Sequence, residues 1–319
     1  MAEATNVQAA QVINFTPTAA VVAGQVIQLP DGRAGVAQDA VAAGALGAFQ
    51  VSGIAYVAKT TTMVMLPGSE LFWDASADAA HLLFGNDKDF YLGVCTADAA
   101  SAATGVYVNL NQRPTPTVSF AHGFVSVPIN TAGFPFVGGS GDAVIMGFSA
   151  TAEAQKVDAL SVRKMAVSAK GVANFLLCLN TNSDNAAGDL NIGLANATHA
   201  TDADSITEHV FFHMDGAALT INVQSKDGGT TNTAATTTLS AVVGTPVLFQ
   251  LDFRDNTDIK AYINGVRVMD GTTGASKTLK TNSATGPLGL MVHWEKTSDD
   301  SPGNLTCRAF ATTFDAGTP

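Results

Sequence analysis

Asp204 and Glu208 lie four residues apart in "DSITE", a spacing that would put both carboxylates on one face of a strand. Paired carboxylates of this kind serve as acid and base on a glycosidic bond. The chain holds only five glutamates, Glu3, Glu70, Glu153, Glu208 and Glu295, and no other such pair lies close in sequence. A solvated strand end is therefore the plainer reading. His209 and His213 in "EHVFFH" have the i, i+4 spacing of metal ligands on a helix. The intervening Val-Phe-Phe favours a strand instead, where about 3.3 Å per residue holds the rings roughly 13 Å apart, too far for one ion.

Gly271–Thr278, "GTTGASKT", approaches a phosphate loop except that Ser276 replaces the second glycine. A phosphate loop must open a helix, and the continuation "LKTNSATGPLG" has no helical period, so nucleotide binding is not expected. The oxygen-rich loops "NTNSDNAAGD" (180–189) and "THATDADS" (198–205) are of the kind that hold a structural Ca²⁺, without the ordered ligand spacing of a calcium loop. Cys95, Cys178 and Cys307 are odd in number and widely spaced, which argues against disulfides or a metal knuckle; each reads as a small buried hydrophobe. The sequence assigns no catalytic residue and no cofactor, and leaves metal content open.

These residues must be positioned by strands. In "DIKAYINGVRVMDG" (258–271), Asn264-Gly265 separates two alternating runs, the strongest short-range signal for a hairpin with a type I′ turn. Ile263 then pairs with Val266 and Ala261 with Val268, and Ile259, Ala261, Ile263, Val266 and Val268 share a buried face. Tyr262 and Arg267 stand opposite one another on the other face, as ordinary sheet decoration or a surface contact for a ligand. Residues 1–112 are short β-branched runs broken by Gly, Asp and Pro, which predicts a small all-β barrel or sandwich. Two prolines at alternate positions in "NQRPTPT" (111–117) predict an extended connector over 113–117. Longer strands over 118–319 predict a two-sheet β-sandwich, although 149–167 has a composition that also suits a helix.

The formal net charge is −11. Residues 1–110 carry three basic against nine acidic side chains (−6), and the remainder 13 against 18 (−5), so no basic patch emerges and nucleic-acid binding is not expected. No continuous apolar stretch has membrane-spanning length, and the N-terminus lacks a basic region followed by an apolar one. A soluble protein made in the cytoplasm is expected.

Residues 1–110 resemble the phage capsid cement, or head decoration, family, which has also carried a RecA/RadA-like recombinase label. The matching stretches are "AGQVIQL", "GRAGVAQDAVAAGALGAFQVSGIAYVAK", "PGSELFWDASA" and "YLGVCTADAASAATGVYVNL". Gly24, the run Gly35, Val36 and Ala37, then Gly53, Gly68, Trp73 and Asp74 fall where that pattern has them. The resemblance implies a non-enzymatic protein of the virion. It would bind the major capsid protein lattice on the outer surface of the assembled head, often as a homotrimer at local three-fold positions, after synthesis in the bacterial host. Residues 1–20 would be an arm that orders on the shell.

The rest resembles concanavalin A-like, laminin-G-like jelly rolls, on "TPVLFQLDFRDNTDIKAYINGVRV", "LMVHWEK" and "CRAFATTF". This implies an outward lectin-like domain and, as an alternative function, a carbohydrate-binding adhesin. Glucanases of this fold carry E-x-D-x-E on a strand; Asp204, Ile206 and Glu208 break it at two of three positions, so a glycan-cleaving enzyme is the remotest reading. Tyr262, Arg267, Asp204 and Glu208 are the candidate glycan contacts.

Overall fold

A computed structural model describes residues 3–6, 11–86, 88–127, 136–149, 153–182, 188–200, 202–216, 218–228, 230–297 and 302–314. β-Branched and aromatic runs punctuated by Gly, Asp and Asn fold as strands, since such side chains pack well on a pleated surface and such breakers suit turns. Among the described residues the only helical elements are two 3-10 turns, Phe120–His122 and Ala203–Ser205. The protein is all-β. Its chain forms two compact units, one built mainly on Met1–Thr115 and the other mainly on Pro116–Pro319.

The first unit runs β1 (Ala4–Asn6), β2 (Val12–Phe15), β3 (Val26–Gln28), β4 (Ala34–Ala37), β5 (Gly47–Gln50), β6 (Ile54–Ala58), β7 (Glu70–Asp74), β8 (Ala79–His81), β9 (Phe90–Cys95) and β10 (Gly105–Leu110). These make a six-stranded sheet, β1-β6-β10-β9-β7-β8, and a four-stranded sheet, β2-β5-β4-β3. Neither closes into a barrel, so the open alternative of the sequence reading is the one adopted. In the described part of residues 1–20, Ala4 is buried opposite Val57 and Val12–Phe15 pairs along β5, which gives each short segment a backbone ladder.

Asn111, just before the expected connector, fastens this unit. Its backbone is left-handed (φ 58°). Its Nδ2 donates to the carbonyls of Ala34 (2.9 Å) and Val51 (2.8 Å), and its Oδ1 accepts the Ala34 N–H (2.8 Å). One side chain thereby ties the end of β10 to β4 and to the residue after β5, joining the two sheets. Arg113 is also held, 3.8 Å over the Tyr91 ring and 3.3 Å from Glu70.

The second unit runs β11 (Val118–Ser119), β12 (Phe124–Ser126), β13 (Phe136–Ser140), β14 (Ala143–Gly147), β15 (Gln155–Ser161), β16 (Gly171–Thr181), β17 (Asp189–Ala195) and β18 (Glu208–Asp215). It continues with β19 (Thr220–Asp227), β20 (Thr230–Ser240), β21 (Val247–Asp252), β22 (Lys260–Ile263), β23 (Val266–Arg267), β24 (Gly289–Lys296) and β25 (Asn304–Thr313). One sheet is β13-β14-β25-β16-β21-β22-β23 with β11 on β25, and the other is β12-β15-β24-β17-β18-β19-β20. Alternate residues of both sheets, among them Phe175, Phe249, Leu305, Ile192, Phe212 and Trp294, form one apolar core. This is the expected two-sheet sandwich. The helical option over 149–167 is not taken, because Val157 and Ala159 alternate into the core from β15; residues 150–152 lie outside the described residues.

The hairpin forms as expected, with Asn264 (φ 50°) and Gly265 (φ 76°) both left-handed and the Val268 N–H bonded to the Ala261 carbonyl at 2.8 Å. Ile259, Ala261, Ile263 and Val268 are buried in the core. Val266 is not: immediately after the turn, it is 49% exposed. Tyr262 differs in the opposite sense. It pairs with Gln250 of β21, a strand buried along its whole length, and shares that burial.

Asn111→Ala should destabilise the first unit by about 3 kcal/mol in urea unfolding, from left-handed strain plus lost buried hydrogen bonds. Asn111→Gly should cost less, because glycine keeps the positive φ.

Candidate functional site

Strand alternation leaves the second sheet of the sandwich with two faces of different character. Leu290, Val292 and Trp294 of β24 point to the core, so Met291, His293 and Glu295 must point the other way. The same rule sends Lys156, Asp158 and Leu160 of β15, Asp189 and Asn191 of β17, His209, Phe211 and His213 of β18, and Asn222 and Gln224 of β19 to that outer face. Antiparallel register aligns Asp158, His293, Asn191, His213 and Asn222 as direct neighbours across five strands. A second row places Lys156, Glu295 and Asp189 side by side. At one end of the face the rows give way to an apolar patch of Leu160, Ala195, Phe211 and Met291, on which Ala203 and Ile206 pack.

Burial makes this polar face chemically unusual. Asp158 and His293 have no side-chain exposure, and the His293 Nδ1–H donates to Asp158 Oδ1 at 2.6 Å. The Lys156 ammonium stands 3.3 Å from the other Asp158 oxygen, an ion pair without hydrogen-bond alignment. Asn191 donates to Asp189 Oδ1 at 2.8 Å and accepts at Oδ1 from His213 Nδ1, also at 2.8 Å. That geometry places the His213 proton on Nδ1. Glu295 Oε2 lies 3.4 Å from His293 Nε2, and the exposure of its side chain is 27%.

Charge follows from this arrangement. Burial opposes a proton on His293, but Asp158 and Glu295 overcome it and lift the pKa to about 9. Burial pushes the Asp189 carboxyl up to about 7, with His213 and His293 pulling the other way. Asp189, His213 and Glu295 are the members that solvent reaches, and Asp204, 39% exposed at its side chain, stands 3.7 Å from the His213 ring. Asp189, His293 and Glu295 bring one potential ligand atom each within 4.8 Å of one another.

Asp204 and Glu208 do not share a strand face, and Glu208 is buried instead of forming the solvated strand end expected. "DSITE" is not a strand: Asp202 caps the 3-10 turn through the Asp204 N–H (2.7 Å), and β18 begins only at Glu208. Asp204 Oδ1 accepts from Gln224 Nε2 on β19. Glu208 is buried and accepts four bonds, from the Thr285 N–H (2.6 Å) and hydroxyl (2.8 Å), the Gly286 N–H (3.0 Å) and Asn196 Nδ2 (2.9 Å). Burial would raise its pKa, yet these donors outweigh it and the carboxyl sits below its usual range. Such a saturated carboxylate clamps the loop before β24 and has no lone pair left for a substrate proton. His209 and His213 lie on one strand as expected, each with different neighbours. Tyr262 is buried and Arg267 half-buried in β22 and β23.

Elsewhere, Gly271–Thr278 is a turn closed by Asp270, which accepts from Thr273 and Thr272 N–H groups and pairs with Lys277 at 3.2 Å. The Thr273 bonds lead in holding the Asp270 carboxyl down to about 2. Cys95 and Cys307 are buried as expected, and burial pushes the Cys95 thiol up to about 12; Cys178 is only partly buried. No helix among the described residues is long and apolar enough to cross a membrane.

The structure thus defines a class of protein: two all-β units in tandem, the second a sandwich with a buried polar face. Residues 7–110, about a third of the chain, match the family model described as phage cement protein. No curated protein matches the chain. Solved structures similar to it include a Bacteroides ovatus mixed linkage glucan GH16 protein, at TM-score 0.40 and 9% identity over 61% of this chain and 98% of that one. The carbohydrate binding module CBM66 from Bacillus subtilis matches at TM-score 0.34 and 8% identity, over 61% and 97%. A Shewanella oneidensis protein of unknown function matches at TM-score 0.39 and 12% identity, over 61% and 80%.

His209 supplies a test of the buried face. Its ring stacks on Phe211 (4.4 Å, 8°), its Nδ1–H donates to the Ile206 carbonyl (2.9 Å), and burial holds its pKa down to about 4. An unfolded histidine titrates near ~6.5, so this folded-state preference for neutral imidazole is complete above that pH and lost as pH falls towards 4. In thermal melts from pH 7 to pH 4, His209→Phe should lose less stability than wild type, by up to about 3 kcal/mol.

Proposed function

We propose that this chain decorates phage heads: its first unit binds the outer surface of the assembled capsid and stabilises it, while the sandwich is displayed outward. The match of residues 7–110 to the cement family carries the reading. Stabilisation requires no reactive group, only tighter binding to the finished lattice than to its precursor or to free subunits. Three copies around a local three-fold position would add avidity, because only the assembled shell presents all the sites at matching spacing. The acidic balance of residues 1–110 speaks against nucleic acid as the partner.

The first unit carries apolar side chains that a partner would cover. Two related turns, "VVAG" (21–24) and "VAAG" (41–44), are bridged through Val21 and Val41 and share left-handed glycines, Gly24 (φ 78°) and Gly44 (φ 75°). Beside them Val22 is 60% and Leu46 69% exposed. Exposed apolar side chains of this kind gain most from burial against a partner.

A second reading, a glycan-binding adhesin, draws on the solvent-reached polar groups Asp189, His213, Asp204 and Glu295, which offer donors and acceptors to a hydroxyl-rich ligand. A glycan array with the whole chain separates it from a pure cement role.

Heads stripped of this protein should lose resistance to heat or low salt and recover it when the chain is added back; unchanged heads would count against the proposal. Leu46→Asp should weaken rebinding at least about tenfold while leaving the free protein's unfolding within ~0.5 kcal/mol of wild type, as expected for an exposed site.

A further inference from the structure

We propose that the outer face of the seven-stranded sheet carries a binding site for one divalent transition-metal ion of the zinc or manganese class, ligated by His293 Nε2, Glu295 and Asp189. This goes beyond the decoration role and does not depend on it.

Three observations converge on the site. First, the ligand atoms of Asp189, His293 and Glu295 lie within 4.8 Å of one another, from adjacent strands whose register places Asp189 beside Glu295. Second, His293 Nε2 is fully buried and makes no hydrogen bond, although Glu295 Oε2 stands 3.4 Å away. That separation is long for a hydrogen bond and natural for two ligands of one ion, since atoms each about 2.1 Å from a tetrahedral metal lie roughly 3.4 Å apart. Third, the far ring nitrogen is already fixed. Nδ1–H donates to Asp158 Oδ1 at 2.6 Å, which aims Nε2 at the site and raises its basicity, the arrangement by which carboxylates orient metal-binding imidazoles.

The remaining groups fit the same reading. Asn191 and His213 both approach Asp189 on Oδ1, at 2.8 and 3.3 Å. They hold that carboxylate in place and leave Oδ2 to turn towards an ion. An entering ion takes the place of the His293 Nε2 proton; with that imidazole neutral, Asp158, Asp189 and Glu295 contribute three formal negative charges against one positive charge on Lys156, which a divalent ion balances. One imidazole with two carboxylates suits zinc or manganese, whereas calcium takes oxygen ligands alone. The partial exposure of Glu295 and Asp189 provides the way in. Three protein ligands leave at least one coordination position for water or a ligand oxygen.

The test is isothermal titration of Zn²⁺ into the untagged full chain after EDTA treatment and dialysis, with Mn²⁺ and Ca²⁺ in parallel. One equivalent of Zn²⁺ should bind and raise the melting temperature. His293→Gln and Glu295→Gln should each lose at least 100-fold in affinity, Asp158→Asn, which touches no metal, should lose about 10- to 100-fold, and His209→Phe should bind as wild type does. Circular dichroism establishes that each variant folds, and the wild-type titration stands independently of them. The proposal is overturned if folded wild type takes up no stoichiometric Zn²⁺, if uptake is unchanged in folded His293→Gln and Glu295→Gln, or if the chain binds Ca²⁺ and refuses Zn²⁺.

Discussion

The register of β24 decides what the second unit can be. With Leu290, Val292 and Trp294 inward, the apolar core closes; with His293 and Glu295 outward, the polar rows form. A slip of one residue would exchange the two sets, placing an imidazole and a carboxylate among Ile192, Phe212 and Phe249. The neighbours fix this register from both sides, β15 on one and β17 on the other, each contributing its own alternation.

Burial then sets the chemistry of the outer face. A carboxylate without solvent, such as Asp158, is tolerated only with partners, and His293 and Lys156 supply them. Glu208 solves the same problem with four neutral donors, which neutralise no charge but saturate its lone pairs. The two solutions differ in consequence. Glu208 becomes a clamp, while the Asp158 and His293 pair passes orientation on to Nε2 and to Glu295.

Much of the architecture was legible from the chain alone. Asn264-Gly265 specified its turn through backbone preference, and two-residue alternation specified strands, because both are local. The polar rows were hidden since they join residues such as Asp158 and His293, 135 positions apart, which no local spacing reveals. "DSITE" misled because Asp202 captures the Asp204 N–H and ends the strand pattern; the Asp-x-Asp spacing of 202 and 204 was the available signal of a cap. Asn111 was hidden for another reason. Its neighbours Pro114 and Pro116 suggested an extended connector, but its role depends on Ala34 and Val51, far upstream.

Decoration of a shell makes modest demands on chemistry and strict ones on stoichiometry, since every equivalent lattice position offers the same contact. Quantitative mass spectrometry of purified mature particles is therefore the most direct measurement. This chain should be present at a fixed ratio to the major capsid protein, and limited surface proteolysis should remove it before the shell is breached. Intact particles holding a full complement of capsid protein and none of this chain would contradict the decoration role.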